Sequence, residues 1–92
     1  MNIRYEEHFK NTLKEIILYI AKDKPSSADN FKQELKRTIE NMAQNPKMYR
    51  ASKYFNDNNY RDLTFKGYTI IYKIDEANKI ISVLDIFKWI NR

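Results

Sequence analysis

Cysteine is absent from this chain of 92 residues, which excludes a disulfide framework and any thiolate metal site. Glycine occurs once, so no glycine-rich phosphate loop can be built. The single histidine, His8, has no carboxylates grouped around it at ligand spacing, and neither a metal site nor a small-molecule cofactor is expected. Long apolar runs are missing too. The longest span only a few residues, far short of a membrane helix. The opening "MNIRYEEHFK" mixes charges of both signs and lacks the apolar core of a secretory signal. These absences predict a soluble protein with no membrane partner. The lack of cysteine suits a reducing cytoplasm, the expected location.

What is present is enough for a core. Apolar residues make up 42% and aromatics 14%, which places the chain among globular proteins. One domain over residues 1–92 is expected, burying about 60–65% of its unfolded surface. The net charge is +5, unevenly spread. Residues 1–45 hold eight Lys/Arg against seven Asp/Glu, and residues 46–92 hold nine against five. The excess sits in the C-terminal half, and such a bias favours an anionic partner, nucleic acid or an acidic protein. A moderately basic surface also simply aids solubility.

Periodicity gives the elements. Residues 2–6 form a short strand. Phe9, Leu13, Ile16, Ile17 and Ile20 then recur at helical spacing, and Pro25 ends that helix by disfavouring helical geometry at Lys24. Ser26 is the expected N-cap of a second helix, with Asp29 favouring its positive end. Its stripe runs through Ala28, Phe31, Leu35, Ile39 and Met42, and "QNP" stops it near Asn45. Two helices joined so tightly should pack as an antiparallel hairpin. Residues 46–58 show no clean period and read as a loop that could carry a short strand around Tyr54. Strand 60–65 follows, then a tight turn at Lys66-Gly67. A second strand alternates Tyr68, Ile70, Tyr72 and Ile74 on one face, and "KIISVLDIF" completes a meander. The order β-α-α-β-β-β predicts an α+β fold, a helical hairpin packed on a small antiparallel sheet.

Several segments, in this order and spacing, carry a resemblance. They are "YIAKDKPSSADNFKQELKRTIENMAQNP", "YRDL", "GYTIIYKID" and "IISVLDIFKW". Together, over roughly residues 3 to 89, the chain resembles the RelE/ParE superfamily of bacterial type II toxins, and its Pro-x-x-Ala hairpin is closer to the ParE branch. The resemblance implies a growth-inhibiting, plasmid-stabilising toxin held inactive by a labile acidic antitoxin from the same operon. It also implies one of two targets: DNA gyrase, poisoned by ParE-like members, or mRNA on the ribosome, cut by RelE-like members. Only the second would make the chain an enzyme. A third reading, from another class, is a basic interaction module that is not toxic.

Cleaving RNA through its 2′-hydroxyl needs a base, a cation for the charged phosphorane and a group to assist the leaving oxygen. The resemblance aligns Arg61 with an arginine of the middle strand in RelE-like nucleases and makes Lys53, Lys88 and Arg92 the accompanying candidates. The tail "VLDIFKWINR" contains no Tyr or His after Leu84, a departure that counts against a ribosomal nuclease. For binding a target or partner, the candidates are Arg50, Arg61, Lys88, Trp89 and Arg92. With Lys47 and Lys53, these cations could converge on one rim; the plain alternative is scattered solvated side chains. Three readings of Arg61 stay open: an ion pair with Asp62, Asp85 or the C-terminus, a cation facing a target or antitoxin, or a solvated residue. Trp89 could stack on a base, anchor a protein contact or cap the core. Tyr68 and Tyr72 read as sheet packing, and His8 as a surface or capping residue. The seat expected for the antitoxin is the groove beside the helical hairpin, with an exposed sheet edge as a second place of contact.

Overall fold

The computed structural model describes residues 1–88, so the expectations for Trp89 and Arg92 lie outside the described residues. Strand β1 spans Asn2–Tyr5, helix α1 Glu7–Asp23, helix α2 Pro25–Gln44, and strands β2, β3 and β4 span Tyr60–Phe65, Tyr68–Asp75 and Ile80–Lys88. The expected β-α-α-β-β-β order is present. The four strands form one sheet in the order β1-β4-β3-β2.

The sheet is mixed, because β1 lies parallel to β4, in register from Asn2↔Ile80 to Tyr5↔Val83. The reason is topological. The helical hairpin is a crossover, and a crossover delivers the next strands beside the first in either sense, whereas the short turns within the meander force β2, β3 and β4 to alternate. With four residues, β1 covers only the first half of β4. Helix α1 then turns back along the second half, where His8 Nε2 meets Asp85 Oδ1 at 3.0 Å.

Helix α2 starts two residues earlier than the sequence pattern suggests. Its N-cap is Lys24, extended at φ −153°, and Pro25 occupies the first helical position. Proline there has its φ already set and loses no helical hydrogen bond. That places Ser26 inside the first turn instead of at the cap, and Asp29 beyond it. Phe31, near the start of α2, packs edge-on against Phe65 and Tyr68 at the β2–β3 turn. At the other end, the Tyr72 hydroxyl donates to the carbonyl of Pro46. Helix α2 therefore runs from the turn end of β2 back towards its beginning.

The core lies between hairpin and sheet. Phe9, Leu35, Ile39 and Met42 from the helices meet Leu63, Ile70, Tyr72, Ile74, Ile81, Val83 and Ile86 from the strands. Leu13, Ile16, Ile17 and Ile20 are half-buried at its margin. The β2–β3 turn is a two-residue type, with φ +48° at Lys66 and +83° at Gly67. A bulge between Ile71 and Tyr72 leaves Leu84 without a partner on β3.

Candidate functional site

In β2 the side chains alternate between sheet faces, and this separates Arg61 from Asp62. Arg61 pairs across the strand with Tyr72, and Leu63 with Ile70, so Arg61 belongs to the row that faces the helices. Asp62 pairs with Ile71 and belongs to the outer row.

The Arg61 guanidinium reaches the segment between α2 and β2. Its Nε donates to the carbonyl of Asn58 at 2.8 Å. Its Nη1 donates to the carbonyls of Tyr49 at 2.8 Å and Lys47 at 3.3 Å. Of the three readings of Arg61, the ion pair does not describe this geometry. Among the described residues no carboxylate lies within salt-bridge distance of Arg61, and the side chain is half-buried. The acceptors are backbone carbonyls, which the period-free sequence of residues 46–59 gave no means of placing. Beside it, Tyr72 is fully buried, its ring edge-on to Tyr49 at 6.3 Å. Burial pushes the Tyr72 phenol well above its ordinary value, only partly offset by the nearby Arg61 charge.

Asp62 holds the same segment from outside. Its Oδ2 accepts the Lys53 backbone N–H at 3.3 Å and lies 3.8 Å from Arg50 Nη2, while the carboxylate is wholly inaccessible to solvent. Backbone bonds from Asp62 N–H to the Arg50 carbonyl and from Ser52 N–H to the Tyr60 carbonyl flank it. They make an isolated bridge, Ala51 opposite Arg61. The strand-like contact is thus at Ala51 and not at Tyr54, because the donors that β2 leaves unpaired lie opposite residues 50–52.

These attachments divide the basic residues. Arg61 faces inward on carbonyls. Arg50 and Lys53 belong to the outer side around Asp62. Lys47 pairs with Glu76, near the end of α2. Lys88 stands opposite Tyr68, four residues along β3 from the partner of Arg61, or about 13 Å at strand rise. It borders a surface cleft of α1 and β4 that includes Ile16 and Tyr19. Among the described residues, the cations form separate groups and no common rim. No three His, Asp or Glu side chains among them gather closely enough to hold a metal ion.

A second feature is apolar. Between α1 and α2 runs a groove of about 240 Å³, floored by Tyr5, Phe9, Leu13, Leu35 and Ile39. Lys10, Lys32 and Lys36 border it. Of these lysines only Lys10 has a carboxylate partner, Glu7 at 3.3 Å, among the described residues. The groove differs from the expected stripes at one end: Ala28 and Phe31 do not line it, and its floor lies further along α2 at Leu35 and Ile39. Burial of Tyr5, reinforced by the charge of Glu40, raises its phenol above the ordinary value. No described helix is long and apolar enough to cross a membrane.

Residues 3–88 match the family described as the ParE toxin of the type II toxin-antitoxin system, parDE. No curated protein matches the chain in sequence. Among solved structures, the chromosomal ParDE toxin-antitoxin system from P. aeruginosa is similar at TM-score 0.79 and 18% identity, covering 98% of this chain and 97% of that one. The isolated E. coli RelE toxin is similar at TM-score 0.69 and 12% identity, covering 99% and 86%. A chain of the intact E. coli RelBE toxin-antitoxin complex gives TM-score 0.65 at 13% identity, covering 99% and 98%. The family match spans nearly the whole chain, and with it the resemblance in the sequence is accounted for: the chain belongs to the ParE toxin family of type II toxin-antitoxin systems.

Proposed function

We propose that this toxin inhibits growth by poisoning DNA gyrase, and that an acidic antitoxin holds it inactive. One observation carries the choice of target. A nuclease of the RelE kind needs a cation free to meet the phosphorane, and the aligned cation, Arg61, commits its Nε and Nη1 to three backbone carbonyls. The last strand points the same way, since β4 offers no Tyr or His as a proton donor or acceptor. An aligned cation engaged by backbone and a β4 without Tyr or His support a contact role over in-line RNA cleavage, because poisoning a partner enzyme requires only a contact surface.

The antitoxin's seat in this reading is the α1–α2 groove. Its apolar floor fits the apolar face of an amphipathic helix, and Lys32 and Lys36 fit acidic residues flanking that face. Opposite charge would also speed the encounter. Expression of the chain alone in bacteria tests the reading. Growth should stop with chromosome breaks while protein synthesis continues. Intact chromosomes together with fragmented mRNA would replace gyrase by the ribosome.

A further inference from the structure

Helix α1 carries apolar residues on two sides. Phe9, Leu13, Ile16, Ile17 and Ile20 pack on the core, yet the consecutive residues Leu18 and Tyr19 are 57% and 72% exposed. Other exposed aromatic side chains are docked on neighbours. Residues 51–59 roof the outer face of the sheet, where Tyr54 and Phe55 are 46% and 44% exposed. There Tyr54 lies edge-on to Phe87, and Phe55 stacks on Tyr60. Leu18 and Tyr19 have no such ring against them among the described residues. An adjacent pair of large apolar side chains left open on a regular helix marks a contact surface.

The charges around this pair indicate what covers it. Asn11, Glu15, Leu18 and Lys22 stand three or four residues apart and form one exposed ridge, flanked by Lys14 and Asp23. Two cations and two anions leave the ridge neutral, in a chain whose net charge is +5. None of the four has an oppositely charged partner within salt-bridge distance among the described residues. An acidic partner gains nothing electrostatically on a neutral ridge. A second copy, repelled by the basic surface elsewhere, meets the least repulsion here.

We infer that this ridge is a contact between two copies of the chain, packed as antiparallel helices about a twofold axis between Leu18 and Tyr19. Across that axis each Leu18 meets Tyr19 of the second copy. Glu15 lies as far before the axis as Lys22 lies after it, about 5 Å of helix rise in each direction. Each Glu15 therefore comes level with Lys22 of the second copy. Seven residues apart, the two share one side of the helix, and in an antiparallel pair like sides meet. The twofold axis makes every contact twice. A parallel pair would instead set Glu15 against Glu15 and Lys22 against Lys22, which like charges oppose. One helix face per copy falls short of the about 1,600 Å² of a standard interface, so the dimer is weak and dissociates on dilution. The α1–α2 groove uses another side of α1, with Lys10 and Leu13, and stays open in the dimer. The inference goes beyond the function proposed above and does not rest on it.

Sedimentation velocity of the intact chain tests it, from about 1 μM to about 1 mM, where weak contacts form and dissociate. The chain should pass from monomer to dimer over this range. Leu18→Glu should raise the dissociation constant at least about tenfold, as expected for a residue at the centre of a contact. Glu15→Lys alone and Lys22→Glu alone should also weaken the dimer, because each sets like charges level twice. Mixed together, these two single variants should associate, since one chain of each restores both opposite-charge pairs. Thermal melts should match the parent, the substituted side chains being exposed; should Leu18→Glu have lost its fold, the charge variants decide. A monomer at every concentration, a dimer indifferent to a folded Leu18→Glu, or charge variants that fail to associate when mixed would overturn the inference. So would a monomeric parent whose Leu18→Glu variant loses antitoxin or gyrase binding, which would give the ridge to that partner.

Discussion

Arg61 and Asp62, consecutive residues of β2, grip one connecting segment from opposite faces of the sheet. Arg61 takes the carbonyls of Lys47, Tyr49 and Asn58 on the helix side. Asp62 takes the Lys53 amide on the outer side. Strand alternation makes this arrangement available to any two neighbouring polar residues. It turns residues 46–59, which contain no repeating pattern, into an ordered bridge between α2 and the sheet.

Replacing Arg61 should therefore act first on stability. Arg61→Ala removes the donors of three carbonyls, and chemical denaturation should show a loss of about 1–3 kcal/mol. Arg61→Lys should recover only part of it, because an ammonium cannot reproduce the planar fork that serves Nε and Nη1 acceptors together. Unchanged stability in both variants would mean that the carbonyl contacts contribute nothing net.

The two anchors should be separable. Asp62→Ala leaves the Lys53 amide without its acceptor, so hydrogen exchange should accelerate at residues 52–54 while Tyr49 and Arg50 change little. Arg61→Ala should have the reverse effect, loosening residues 46–50 more than the roof. Uniform acceleration across residues 46–59 in either variant would show that the segment opens as one unit.

The lysines of the groove give a prediction about the partner. Lys32→Glu with Lys36→Glu should slow association with the operon's acidic antitoxin several-fold at low salt and leave the melting temperature of the free toxin nearly unchanged. Leu13→Glu should instead raise the dissociation rate by placing a charge on the apolar floor. Association rates that ignore both salt and charge reversal would remove the antitoxin from this groove.

The tie between Glu34 and Lys66 predicts a small pH effect. The hydrogen bond and charge of Lys66 hold the Glu34 carboxyl below its ordinary 4.5. A carboxyl depressed in the folded state stabilises the fold above its unfolded value, and that contribution disappears as acid protonates it through the folded value. Both side chains are exposed, so the gain is modest. Lys66→Met should flatten the stability profile on the acid side of neutrality and match the parent once Glu34 is protonated in both. A difference that persists in strong acid would point to packing of Lys66 instead.

Much of the fold was legible in the sequence. The helical stripes, the Pro25 break and the single glycine placed the hairpin and the meander, because each rests on local geometry that few other residues allow. The parallel pairing of β1 was not legible: four residues carry no signal about which strand will receive them. The bulge beside Tyr72 was equally silent, since Leu84 looks like any strand residue. For the site, the alternation of Leu63 and Phe65 with polar neighbours could have put Arg61 on the inner face and Asp62 on the outer. What they hold is backbone, which sequence does not display. The exposed pair Tyr54 and Phe55 went unnoticed for a related reason. In a segment without a period, only its docking on Phe87 and Tyr60 shows which face of each ring remains outside.

The target is tested with purified toxin, gyrase, ATP and plasmid DNA, resolved on a gel after protein digestion. Linear plasmid should accumulate in proportion to the toxin and vanish when the antitoxin is added first. Supercoiling that proceeds normally at excess toxin, alongside cut mRNA in a translating extract, would contradict gyrase as the target.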